Sequence, residues 1–208
     1  MRKAASSFIR RAGEIQMNIE IKPLTPGLVP AYLDYFDNRA FSDGNPNGPC
    51  YCASPSMDEA AERRMIGEFG DDVKGTVRRY AVKMLAEGKI HGYLAFDGNT
   101  PAGWCNAGDM DGYASRHWIP DFARQNACGR TMSVVCFCIA PGYRGQGVSV
   151  ALLESVCADA KAGGFAAAEG YCMTGENREY HGPERLFEKA GFVEAARQDN
   201  RVVMRKIL

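Results

Sequence analysis

The chain has no excess of either charge. Its 208 residues hold 25 Lys plus Arg and 25 Asp plus Glu, a formal net charge of zero. A balanced total takes away the support for a nucleic-acid or membrane-surface partner, and neither is expected. Long hydrophobic runs are missing as well: no apolar stretch approaches the ~20 residues of a membrane-spanning helix. The first sixteen residues, MRKAASSFIRRAGEIQ, are basic but lack the continuous apolar segment of a secretory leader. They are expected to form a flexible tail, or to lie upstream of a start at Met17, with an amphipathic targeting role as the alternative. Histidine is scarce: His91, His117 and His181 stand apart from one another. A zinc site asks for about four ligands at close spacing, so neither Cys50-x-Cys52 nor Cys136-x-Cys138 is expected to hold a metal. Repeats and low-complexity tracts are absent too, and residues 17–208 read as one domain.

What is present is ordinary for a soluble protein: 46% hydrophobic and 24% charged residues. The eight cysteines fall mostly in apolar contexts, where a thiol packs as a small hydrophobe. A chain this long does not need disulfide staples, so a reducing cytoplasm is the expected location.

Alternation from Asn18 to Leu24 predicts a strand, and TPGLVPAYLDYF opens a helix with Thr25 as its cap. Residues 38–55 read as a long loop, followed by helices over about 57–69 and 73–87. HGYLAFDG and PAGWCNAGD flank a hairpin turn. Residues 111–127 read as irregular. Arg130 to Ala140 is apolar at almost every position, as a strand buried on both faces would be. A helix over about 147–162, the strand FAAAEGYC, a short helix in GPERLFEKAGF and two closing strands complete the pattern. The expected fold is α/β (α+β): a mixed, mostly antiparallel central sheet of about six or seven strands flanked by helices. The unit from Met132 to Tyr171 would supply its parallel crossover.

One stretch carries chemistry. In CFCIAPGYRGQGVSVALLESV a buried strand meets Pro141, then a basic glycine turn, then a helix. Gly145 and Gly147 permit backbone conformations closed to other residues. The first amides of the helix have no helical acceptor, and with the helix dipole they form an anion site to which Arg144 adds a donor. A plain helix-capping turn is the alternative. The loop lacks the Gly-Lys-Ser/Thr of a Walker loop, and Val150 stands where a dinucleotide fingerprint needs a third glycine.

The whole stretch, with RLFEKAGFVEAAR downstream, resembles the signature of the GNAT N-acetyltransferase superfamily, a strand followed by Arg/Gln-x-x-Gly-x-Gly/Ala and a helix. The resemblance covers about residues 130–208, with the hairpin before it fitting more loosely. It implies acetyl-CoA as co-substrate, with the pantetheine arm along Phe137, Cys138 and Ile139. The pyrophosphate would lie on Arg144, Gly145, Gln146, Gly147, Val148, Ser149 and Val150. It implies direct acyl transfer to an amine of a small molecule or peptide; a non-catalytic acyl-CoA-binding module is the alternative. The oligomeric state is left open, a homodimer included. A family tyrosine, four residues before the glycine of Gly-Phe, often protonates the leaving thiolate; here that slot holds Phe187. Tyr180 is the substitute acid, and Tyr171 and His181 are further candidates. Glu169, the one charge in a small-residue strand, is the expected base or else an arginine partner, and Asp109 is a second candidate base. Tyr51, Trp104 and Asn106 are offered as acceptor contacts, although a tryptophan such as Trp104 is more often core than ligand wall. A cysteine-dependent metal or redox protein is the third reading.

Overall fold

The structure is a computed structural model that describes residues 18–45, 48, 50–175 and 180–208. The tail expected over residues 1–16 lies outside the described residues.

Seven strands form one sheet in the order β1-β2-β3-β4-β5-β7-β6. They are β1 (Ile19–Pro23), β2 (Tyr93–Asp97), β3 (Thr100–Asp109), β4 (Thr131–Ile139), β5 (Ala167–Met173), β6 (Val193–Gln198) and β7 (Arg201–Ile207). The β4–β5 pair is parallel, and every other neighbouring pair is antiparallel. The helix α5 (Val148–Ala162) makes the crossover between β4 and β5. Its stripe of Leu152, Leu153, Val156, Cys157 and Ala160 is fully or almost fully buried.

The helices divide between the two faces of the sheet. On one face, α1 (Val29–Asn38), α2 (Glu59–Gly67) and α3 (Val73–Ala86) cover a core of Tyr32, Tyr35, Phe36, Trp104, Cys136 and Cys138. On the other, α5 and α6 (Glu184–Lys189) cover Val134, Phe137, Cys105, Cys157, Cys172 and Phe187. No helix among the described residues is long and apolar enough to cross a membrane.

The boundaries differ from the sequence reading where caps decide them. Thr25 precedes only a 3-10 turn at Pro26–Leu28, and its side chain makes no cap bond. The following helices begin later than, or at, the expected point because Asp58 accepts from the Ala61 amide and Asp72 from the Gly75 amide, both at 2.7 Å. Residues read as irregular contain a five-residue helix, α4 (Asp121–Gln125).

One feature of the sheet prepares the site. In the β3–β4 register Asn106 faces Cys136 while Ala107 faces Val134, so Val135 is an extra residue in β4. The β4–β5 ladder ends beside this bulge, at Val134 opposite Gly170. Beyond it β4 stays with β3 as far as Ile139, and β5 stays with β7 as far as Met173. The two parallel strands therefore separate into a wedge.

Candidate active site

The wedge leaves the β5-facing backbone of β4 without a strand partner. The chain's own groups occupy part of it. The Phe137 amide donates to the Tyr180 carbonyl at 2.7 Å, and the Ile139 carbonyl accepts from Arg144 Nε at 3.0 Å. The Cys138 carbonyl accepts from the Tyr35 hydroxyl at 2.6 Å. The Cys138 side chain points to the α1 face, where burial pushes its thiol up to about 12.

At the open end of the wedge the chain turns through Pro141–Tyr143 into the glycine loop. Gly145 and Gly147 have φ of 72° and 85°, the left-handed region that costs other residues about 1–2 kcal/mol. Gly147 caps α5 rather than lying in its first turn, and it brings no side-chain cap bond. The first helical bond reaches it from Ala151, so the amides of Val148, Ser149 and Val150 have no helical acceptor. Gln146 Nε2 donates to the Gly142 carbonyl at 2.6 Å and braces the loop. Arg144 is engaged: its guanidinium reaches Asp43 Oδ2 at 2.6 Å, and this bond holds the Asp43 carboxyl below its ordinary range.

The residues offered for proton transfer have distinct settings. Glu169 is fully buried, and Arg205 binds its Oε1 at 2.6 Å from both Nε and a terminal nitrogen. Burial raises its pKa and the Arg205 bond opposes that rise. Its other oxygen lies 3.4 Å from the Tyr171 hydroxyl, which is 2.6 Å from Ser133 Oγ. Tyr180 sits in the wedge with its ring against Phe41 at 6.4 Å. Asp109 pairs with Arg130 at 2.7 Å and stands opposite Met132, at the closed end of the β4–β5 ladder, away from the wedge. Phe187 is fully buried, with its ring against Phe137 and Phe192.

Tyr51, Trp104 and Asn106 are core residues, not an open acceptor surface. All three are fully buried. Trp104 packs edge-on against Tyr32 at 4.9 Å. Asn106 is spent on the Cys52 carbonyl at 3.2 Å and the Tyr113 hydroxyl at 2.6 Å. The Tyr51 hydroxyl donates to Asp37, which Arg78 grips with two nitrogens. No group of His, Cys, Asp and Glu among the described residues could hold a metal ion, and all eight cysteines are free.

The sequence reading missed a polar cluster at the far end of β5. Trp118 and His181 stack with centroids 4.9 Å apart and planes 31° apart. Arg201, at the start of β7 opposite Met173, lies close enough to act electrostatically on His181. Among the described residues, Trp118 Nε1, His181 Nδ1 and a terminal nitrogen of Arg201 are buried without a hydrogen-bond partner. Burial foremost, then the nearby Arg201 and His117, push His181 down to about 4. His181 was legible only as one more candidate acid, and Arg201 only as a residue flanking a turn.

The profile of the Acetyltransferase (GNAT) family matches residues 55–192. Solved structures of low identity share the fold. A GNAT-family acetyltransferase from Listeria monocytogenes is 12% identical with a TM-score of 0.54, covering 96% of this chain and 99% of its own. A GNAT-family protein from Desulfovibrio desulfuricans is 15% identical with a TM-score of 0.52, covering 91% and 98%. The GNAT domain of S. lividans PAT is 16% identical with a TM-score of 0.51, covering 90% and 89%. No curated protein sequence matches the chain.

Proposed function

The chain belongs to the acetyltransferase (GNAT) family, and from that premise we propose that it moves an acetyl group from acetyl-CoA to an amine by direct transfer. The observation that carries the reading is the wedge between β4 and β5, with the free amides of α5 at its open end. A pyrophosphate would suit the amides of Gly145 to Val150, because two left-handed glycines lead there into a helix N-terminus whose first amides have no helical acceptor. Arg144 would exchange Asp43 for a phosphate. The amide groups of a pantetheine arm would replace the Tyr180 carbonyl on Phe137 and the Arg144 side chain on Ile139, satisfying the same backbone groups.

The thioester supplies an activated acyl carbon. The amine nitrogen forms the new C–N bond and the C–S bond breaks. Tyr180, whose carbonyl already sits on β4, delivers a proton to the departing sulfur. The amine's proton passes along Ser133 and Tyr171 toward Glu169, whose basicity burial raises. A cytoplasmic location belongs to the same reading, in keeping with eight free thiols.

A second reading, an acyl-CoA-binding module without turnover, is favoured by one observation: Phe187 has no hydroxyl where the family tyrosine would stand. Both readings require acetyl-CoA to stabilise the fold, by about 2.7 kcal/mol at a hundredfold excess over Kd. Only the enzyme releases free CoA with an amine, best followed chromatographically because the chain's own thiols would react with a thiol dye. Tyr180→Phe should lower turnover more than it lowers acetyl-CoA affinity. Absence of any stabilisation would sink both readings, and an unchanged rate in the variant would remove Tyr180 as the acid.

A further inference from the structure

The cluster at the end of β5 has chemistry that the transfer step does not use. Buried polar atoms without partners are uncommon, and each costs about 1–3 kcal/mol. Here three lie together: the indole nitrogen of Trp118, one imidazole nitrogen of His181 and one guanidinium nitrogen of Arg201. His181 itself is 6% exposed. Arg201 is partly buried and has no carboxylate partner among the described residues. Arg197, on the same hairpin, pairs with both Glu184 and Glu194. The cluster also has a place. Arg201 stands opposite Met173 at the end of β5, and His181 follows Tyr180, whose carbonyl closes on β4 inside the wedge.

The atoms left open define a complement. The guanidinium brings positive charge and a donor, and the indole brings a second donor. Burial keeps the His181 ring neutral near pH 7, and its hydrogen bond to the Tyr171 backbone takes the other ring nitrogen. Nδ1 then presents a bare lone pair. A partner for all three needs one anionic acceptor group and one N–H donor nearby. Among the described residues no second arginine or lysine is seen beside Arg201, and one guanidinium matches a singly charged carboxylate better than a phosphate dianion.

We propose that the acceptor is an amino acid, its carboxylate held by Arg201 and the Trp118 indole N–H and its amine directed to His181 Nδ1. The proposal rests on the acyl-transfer reading for what happens to that amine, but the binding site can be tested without it.

The chain has two tryptophans, so its nitrogen-15 spectrum holds two indole N–H signals, and Trp118→Phe assigns them. Without any CoA, glycine, L-alanine and L-glutamate should shift the Trp118 signal saturably and leave the Trp104 signal in place. Glycinamide and L-alaninamide should not. Arg201→Gln should abolish the shift, and Arg201→Lys should weaken it, with the Trp104 signal showing that each variant is folded. Equal shifts from acids and amides, no shift at all, or a shift that survives Arg201→Gln would overturn the site. In a second arm acetyl-CoA is added, and kcat/KM for the amino acids should exceed that for their amides by about tenfold or more. Carboxylate binding without transfer would remove the acyltransferase reading and leave the site standing. Transfer to amides as fast as to acids would overturn the site alone.

Discussion

His181 couples the pH of the solution to the stability of the fold. Its ordinary pKa near 6.5 falls to about 4 because the folded protein buries the ring. Below about pH 6.5 the unfolded chain takes up a proton that the folded chain refuses, so stability falls with pH until about 4 and then levels. The loss across that window is of order 3 kcal/mol. Glu169 acts in the opposite sense: burial raises its pKa, so its contribution is present at low pH and is lost as pH rises through the folded value. The two are separated by difference. His181→Phe keeps a ring against Trp118 and should flatten the melting temperature between pH 4 and 6.5 relative to the parent; parallel slopes would show that another group is responsible.

Strand β5 and helix α6 are fastened through a missing side chain. A Cβ on Gly170 would lie 2.1 Å from Cε1 of the fully buried Phe187 ring. Gly170→Ala should therefore cost about 1–3 kcal/mol through overpacking, visible as a lower denaturant midpoint at an unchanged slope. Adding Phe187→Leu should return part of the loss, whereas additive losses would show that the two positions do not meet. At this scale the sequence was readable where a period could run its course. The apolar stripe of α5 and the continuous burial of β4 both emerged from residue spacing alone. The five residues of α4 span too few turns to display a period. The start of α2 depends on which aspartate bonds an amide, which no period encodes.

Across the molecule, an ion pair ties the glycine loop to the N-terminal half. Asp43 and Arg144 stand 101 residues apart in sequence and meet at 2.6 Å. A phosphate arriving on the loop competes with that carboxylate, so Asp43→Asn should tighten acetyl-CoA binding several-fold by calorimetry, most at low salt. Weaker binding would mean that Asp43 orients Arg144 for the ligand instead of holding it away. The same long-range assembly explains which parts of the site could be read in advance. The glycine loop is contiguous, and its backbone demands are written in Gly145 and Gly147. The cluster of Trp118, His181 and Arg201 comes from three distant segments brought together by the end of β5. Glu169 was visible as a charge out of place, but its partner Arg205 lies on a neighbouring strand whose pairing only the sheet determines.

The distribution of thiols lets the two halves of the core report separately on their own opening. Cys128 is exposed and open to alkylation in the native state. Cys52, Cys136 and Cys138 lie in the core under the first three helices, while Cys157, on the buried side of α5, shares the opposite core with Cys105 and Cys172. Each set can be labelled only when its own face loosens. A timed pulse of iodoacetamide, read peptide by peptide in a mass spectrometer, therefore times the two faces independently. If acetyl-CoA binds along β4 as proposed, it should slow both clocks when the faces open as one unit and only one when they do not.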